Sequence, residues 1–160
     1  MRLWVSVLSY KSDLRLCKRN RLPNHKKVIA LALEWRFFDF ADDVDHWYGQ
    51  LPEEGKDLFN SILKVNSKTS NPQQWIACKL LQGACKSEGI WEWYFSADKV
   101  QQRLLGVFGM GRRTAVFLLG CSHKDRVYSP SDSLNSAIKR AKLLRKGGIS
   151  LRERTIPADF

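Results

Sequence analysis

Three apolar runs stand close together in the second half of this chain. They are Ile90-Trp-Glu-Trp-Tyr-Phe95, Gln102-Arg-Leu-Leu-Gly-Val-Phe108 and Thr114-Ala-Val-Phe-Leu-Leu-Gly-Cys121. Their aromatic and aliphatic content predicts strands. The connections, Ser96–Lys99 and Gly109–Arg113, are of hairpin length, and the second carries two glycines. A parallel pair needs a crossover of roughly a dozen residues, so these strands must form an antiparallel meander. Everything else has to pack around that sheet.

Val28–Phe38 reads as a first strand, apolar and aromatic throughout. Asp42, Asp43 and Asp45 then mark a helix start, where the macrodipole favours acids, and Pro52-Glu53-Glu54 opens a second helix. On that second helix Leu58, Phe59, Ile62, Leu63 and Val65 make one apolar stripe. The acidic block at 39–45 is thereby explained as helix starts rather than as a catalytic cluster. Residues 67–72 form a turn-rich linker, and Trp75–Leu81 a short helical or extended segment. Pro130 opens a last helix to about Lys146, ended by Gly147 and Gly148. Its polar side gathers Lys139, Arg140, Lys142, Arg145 and Lys146. The order β-α-α-β-β-β-α predicts a small α+β domain over 28–146. A basic arm at 1–27, with one short strand at Leu3–Leu8, and a tail at 147–160 are expected to lie outside it.

The chain has 160 residues, 44% of them hydrophobic, enough for one cored domain. It also carries a net charge of +11, unevenly placed. Residues 1–27 hold eight basic residues and one acid, 28–98 six and eleven, and 99–160 thirteen and four. Such a basic–acidic–basic chain suits an anionic partner, most commonly nucleic acid. On this reading the acidic middle sits away from that partner. Charges interrupt every apolar run before the ~18 residues of a membrane span. The start at Met1–Tyr10 lacks both the apolar length and the small-residue cleavage site of a signal peptide, so a cytoplasmic protein without a membrane partner is expected. Cys17, Cys78, Cys85 and Cys121 form no C-x2-C pair, and His25, His46 and His123 lack zinc-ligand spacing. Neutral, buried thiols, no metal and no cofactor are expected.

The succession "GIWEWYF", "QQRLLGVFGMGRRTAVFLLGCSHKDRVYSP" and a basic helix near "SLNSAIKRAK" resembles the RelE/HigB superfamily of toxins, especially its phage-derived branch. That branch reads G-L-W-E-L-R-F, then R-I-L/F with G-R-R, then K-K-T before the last helix. The resemblance runs from about Val28 to Lys146, with its specific part in Gly89–Ala141. It implies a RelE-like fold: a small antiparallel-rich sheet packed with an N-terminal helical hairpin and a C-terminal basic helix. It also implies the toxin of a type II toxin–antitoxin system. Such a toxin is a metal-independent endoribonuclease that cleaves mRNA on the ribosome, inhibits translation and is held inactive by a helix-turn-helix antitoxin. The ribose 2′-hydroxyl attacks the neighbouring phosphorus, and fixed cations stabilise the charge that gathers in the transition state.

Carried over residue by residue, Arg103 matches the strand arginine that contacts the scissile phosphate. Alternation places Arg103, Leu105 and Val107 on one face of their strand and Leu104, Gly106 and Phe108 on the other. Lys124 matches the first lysine of K-K-T, whereas the next two positions are Asp125 and Arg126. His123 and Tyr128 flank that segment and are candidates for proton transfer or base stacking. Arg112 and Arg113 match G-R-R as RNA contacts, with Arg126 beside Lys124. Glu92 is retained as a structural ion-pair partner or proton acceptor, and Trp91 and Trp93 as core. The family's arginine after W-E-L is Tyr94 here, which can stack on a base but carries no fixed charge; uncompensated, that loss costs ~2–4 kcal/mol of transition-state stabilisation. Tyr94 and Asp125 favour the alternative, a non-catalytic RelE/ParE-fold protein that binds nucleic acid, the ribosome or gyrase. A generic basic RNA-binding domain is a third possibility.

Overall fold

The computed structural model describes residues 34–40, 42–109, 111–147 and 149–157. The basic arm, Cys17 and His25, and residues 28–33 of the expected first strand lie outside them. The chain runs β1 (Arg36–Phe40), α1 (Asp43–Gln50), α2 (Glu53–Lys68), a 3-10 turn (Pro72–Gln74), β2 (Cys78–Leu80) and α3 (Ala84–Ser87). It continues with β3 (Ile90–Ala97), β4 (Val100–Phe108), β5 (Thr114–Lys124), β6 (Val127–Ser129), α4 (Ser133–Lys146) and β7 (Leu151–Glu153). The sheet order is β2-β3-β4-β5-β1-β7, with β6 beside the far half of β5. Neighbours are antiparallel apart from β1 and β5, which are parallel. The fold is thus α+β with a mostly antiparallel sheet, and β3-β4-β5 is the meander its short connections required.

Helices cover both faces of the sheet. On one face α1 and α2 close over an aromatic core of Phe37, Trp47, Phe59, Trp75, Trp93, Phe95 and Phe117 with Leu104. Each such side chain, fully buried, stabilises the fold by about 1.5–3 kcal/mol. On the other face α4 and the short α3 bury Ile90, Leu105, Val107, Val116 and Leu118. The split along β4 follows the expected alternation. Trp47 lies so close to the sheet that a Cβ on Gly120 would come within 2.1 Å of its Cγ. Only glycine fits under that ring.

Strand β5 is irregular at one point. Leu105 faces Leu119 but Gly106 faces Phe117, so Leu118 is an extra residue, a β-bulge. The bulge leaves the Leu118 carbonyl outside the ladder, and Arg140 Nη1 on α4 donates to it at 2.6 Å. The same guanidinium is ion-paired with Asp43 at the start of α1. Beyond the bulge, Cys121 and His123 face the same side as Val116, which a regular strand would not allow.

Two expectations are corrected. The 147–160 tail is not outside the domain: residues 151–153 are an edge strand on β1, and Arg154 continues into the aromatic core face. Its Nε donates to Asp39 Oδ1 at 3.0 Å and its Nη2 lies 2.7 Å from Asp39 Oδ2, with Tyr48 under the guanidinium at 4.7 Å. Nor does the acidic middle stand apart from the basic C-terminal part. Of the thirteen basic residues in 99–160, Arg103, Arg140, Lys142, Arg145, Arg152 and Arg154 pair with Glu92, Asp43, Glu88, Asp39 and Asp45. The charge is segregated along the chain and interleaved in space. Asp43 and Asp45, read as helix-start acids, and Arg103, read as RNA-facing, therefore hold elements together. No helix among the described residues is long and apolar enough to cross a membrane.

Candidate functional site

On the α4 side of the sheet, beyond the apolar patch, five strands present polar side chains to one another. Register puts Lys79 on β2 opposite Glu92 on β3, Tyr94 on β3 opposite Arg103 on β4, and His123 on β5 opposite Tyr128 on β6. Each of these positions has its side chain on the same face. Lys79 reaches it because buried Asn66 fixes the chain just ahead of β2, donating to the Ile76 carbonyl at 3.1 Å and accepting from its N–H at 3.0 Å. His123 and Tyr128 reach it because of the bulge at Leu118.

Glu92 is the hub. Its carboxylate is 1% exposed. Oε1 accepts the Tyr128 hydroxyl at 2.7 Å and lies 3.2 Å from Arg103 Nε, and Oε2 lies 3.0 Å from Lys79 Nζ. The Tyr94 ring is a lid over both cations, with Lys79 Nζ 5.2 Å and Arg103 Cζ 5.6 Å from its centroid. Tyr128 is stacked edge-on against His123 at 4.8 Å between centroids. Burial first, and then the bond to Glu92, push the Tyr128 phenol well above its ordinary range, so it keeps its proton. Cys121 lies beneath Arg103 in the ladder, and burial pushes its thiol up to about 12. Burial likewise raises the Cys78 and Cys85 thiols, which disfavours the thiolate at all three described cysteines.

Of the residues singled out from the sequence, Arg103, His123, Tyr128 and Tyr94 come together here. Lys124 ends β5 on the opposite face from His123 and borders a cleft of about 560 Å³ at the end of the sheet, together with Lys99, Gln101, Ser122 and His123. Two tight hairpin turns frame that end. Asp98 and Lys99 have φ of +48° and +61°, and Asp125 and Arg126 have φ of +50° and +66°, the left-handed pair a two-residue hairpin loop requires. Arg126 is exposed on the second turn. Arg112 and Arg113 are not part of the cluster. They occupy the turn at the other end of β4, five residues beyond Arg103, or about 17 Å at ~3.4 Å per residue. Sequence reasoning missed Lys79. A three-residue strand gives too little alternation to reveal which way a lysine faces.

Among the described residues, Lys99, Lys124 and Arg126 have no acidic partner within ion-pair distance, and with Asp98 and Asp125 on the same two turns this end of the sheet carries a small excess of positive charge beside the buried cluster. The arrangement can bind a phosphate through cations, stack an unpaired base on Tyr94, and move a proton at the His123 imidazole. Comparison with protein-family models, with curated proteins and with solved structures finds no match for this chain.

Proposed function

We propose that this chain is a RelE/HigB-type toxin, a cytoplasmic endoribonuclease that cuts mRNA at the ribosome and is restrained by an antitoxin. What carries the reading is one observation: Lys79, Arg103, His123 and Tyr128 converge on a single sheet face. The element order supports it too, with a helical hairpin before an antiparallel meander and a basic helix after it. Arg103 and Lys79 would hold the scissile phosphate and oppose the charge gathering on its oxygens. Lys79 restores a cation beside Tyr94, where the family resemblance leaves one missing. His123 would take the 2′-hydroxyl proton as the 2′-oxygen attacks phosphorus and the bond to the 5′-oxygen breaks, the departing 5′-oxygen taking its proton from water. Tyr128, which retains its proton, serves as hydrogen-bond donor to the phosphate rather than as base.

A second reading, a protein that binds RNA or the ribosome without cutting, is favoured by one fact. Glu92 already neutralises the Arg103 guanidinium, whose side chain is only 11% exposed. Primer extension on translated mRNA separates the two. The cleaving protein gives cuts that depend on ribosomes and vanish in Arg103→Ala, whose circular dichroism matches the parent. Undiminished cuts in Arg103→Ala refute the site; an absence of cuts by the parent alongside ribosome binding establishes the second reading.

A further inference from the structure

Lys79, Arg103 and Tyr128, the groups through which this face would hold a phosphate, all meet one carboxylate of the chain itself. Tyr128, Arg103 Nε and Lys79 Nζ meet at Glu92 within 3.2 Å. Arg103 Nη1 is further held by Gln101 Oε1 at 3.2 Å and by the Gln102 carbonyl at 2.9 Å. Two cations and a hydroxyl converging on a planar anion are the ordinary makings of an anion site. Here the anion is built in. It lies under a solvent-facing rim, with Lys79 57% and Tyr94 37% exposed, so an arriving phosphate meets that rim before it meets Arg103.

Building on the RNA-cleaving reading, we propose that Glu92 is an internal stand-in for the substrate phosphate and that it sets the substrate class: single-stranded polynucleotide, to the exclusion of free phosphate and mononucleotides. A lone phosphate must displace Glu92 from one hydrogen bond and two ion pairs, and brings no further contact to offset that loss. Leaving the buried carboxylate without its cations is costly as well. A polynucleotide brings the surplus. Its neighbouring phosphates reach Lys99, Lys124 and Arg126 at the same end of the sheet, and its bases stack on Tyr94. Until such a chain arrives, Glu92 keeps Arg103, Lys79 and Tyr128 aligned and silent. It is a positioning residue, not a catalytic one.

The test uses two probes, inorganic phosphate and a mixed-sequence pentanucleotide with 2′-O-methyl riboses that cannot be cut. Wild-type protein should bind the oligonucleotide and show no saturation by millimolar phosphate in calorimetry. Glu92→Gln should acquire phosphate binding and take the oligonucleotide about tenfold tighter at low salt, with a log–log salt slope steeper by about 0.7. Glu92→Asp keeps the charge that folding uses but withdraws the carboxylate by one methylene, and should gain part of both effects. Arg103→Ala should weaken oligonucleotide binding. Wild-type protein that saturates with submillimolar phosphate overturns the proposal without any variant. Should Arg103→Ala weaken binding while neither Glu92 variant loses discrimination, Glu92 has no such role and the RNA reading stands. If Arg103→Ala binds as well as wild type, the RNA reading itself fails and the Glu92 proposal with it.

Discussion

Replacing Arg154 by leucine should cost this fold a large part of its stability, although the residue lies in a stretch that looks like a tail. Its side chain is 7% exposed and its partner Asp39 is fully buried. The guanidinium makes two contacts to Asp39, reaches Asp45 Oδ1 at 3.2 Å, and lies against the Tyr48 and Phe59 rings. Removing one partner of a buried pair costs about 3–5 kcal/mol, because the other charge stays buried without compensation. Arg152, with Nη2 3.6 Å from Asp39 Oδ2, remains to offset some of that, so the lower figure of about 3 kcal/mol applies. For a domain of this size the melting temperature should fall by about 10 °C. Urea unfolding of Arg154→Leu measures the loss directly. The double variant Asp39→Asn with Arg154→Leu should recover more than half of it, since no unpaired charge is then left inside. A loss below about 1 kcal/mol, or a double variant no better than the single, would refute the seating of residues 151–154 in the fold.

Other consequences are equally open to measurement. Gly120→Ala drives a methyl into the Trp47 ring at 2.1 Å and should destabilise by about 3 kcal/mol, with a visible change in tryptophan fluorescence; a neutral effect would mean that Trp47 does not lie on the sheet. The Glu88 and Glu153 carboxyls are held below the usual range, chiefly by hydrogen bonds from Arg145 and Arg36. Their contribution is therefore complete above about pH 4.3 and fades as the pH falls through their folded values, and Arg145→Gln with Arg36→Gln should flatten that part of an acid-unfolding curve. The Tyr128 phenol, raised by burial, works in the other direction: its contribution is full below about pH 10 and is lost as the pH rises further. Tyr128→Phe should accordingly tolerate alkali better than the parent while leaving the tyrosinate absorbance change near pH 10 unaltered.

How much of this was legible in the sequence depended on element length. Strands β3, β4 and β5 announce themselves by eight to eleven residues of apolar pattern, and helices α2 and α4 by stripes over three turns or more. Strands β2, β6 and β7 have three residues each, too few for alternation to rise above chance, and the register of their neighbours is what makes them strands. The candidate site suffers from the same limit. Arg103 could be placed from the parity of β4, but Lys79 rides on β2, and the position of Glu92 as a hub emerges only when five strands lie side by side. Charge counting misled for a related reason. Acids such as Asp39 and Asp43 lie 115 and 97 residues from the arginines they meet, Arg154 and Arg140, and no window along the chain brings them together.

The extra residue at Leu118 bears on how such a protein can change. Substitutions along β5 alter one side chain at a time, but a length change does not. One residue inserted between Leu119 and His123 would turn the imidazole toward Trp47 and leave Arg103 in place on β4. Arg103 and Lys79 would keep their places while the imidazole was carried to the other side of the sheet. A single codon thus decides whether the imidazole and the Arg103 guanidinium share one face of the sheet.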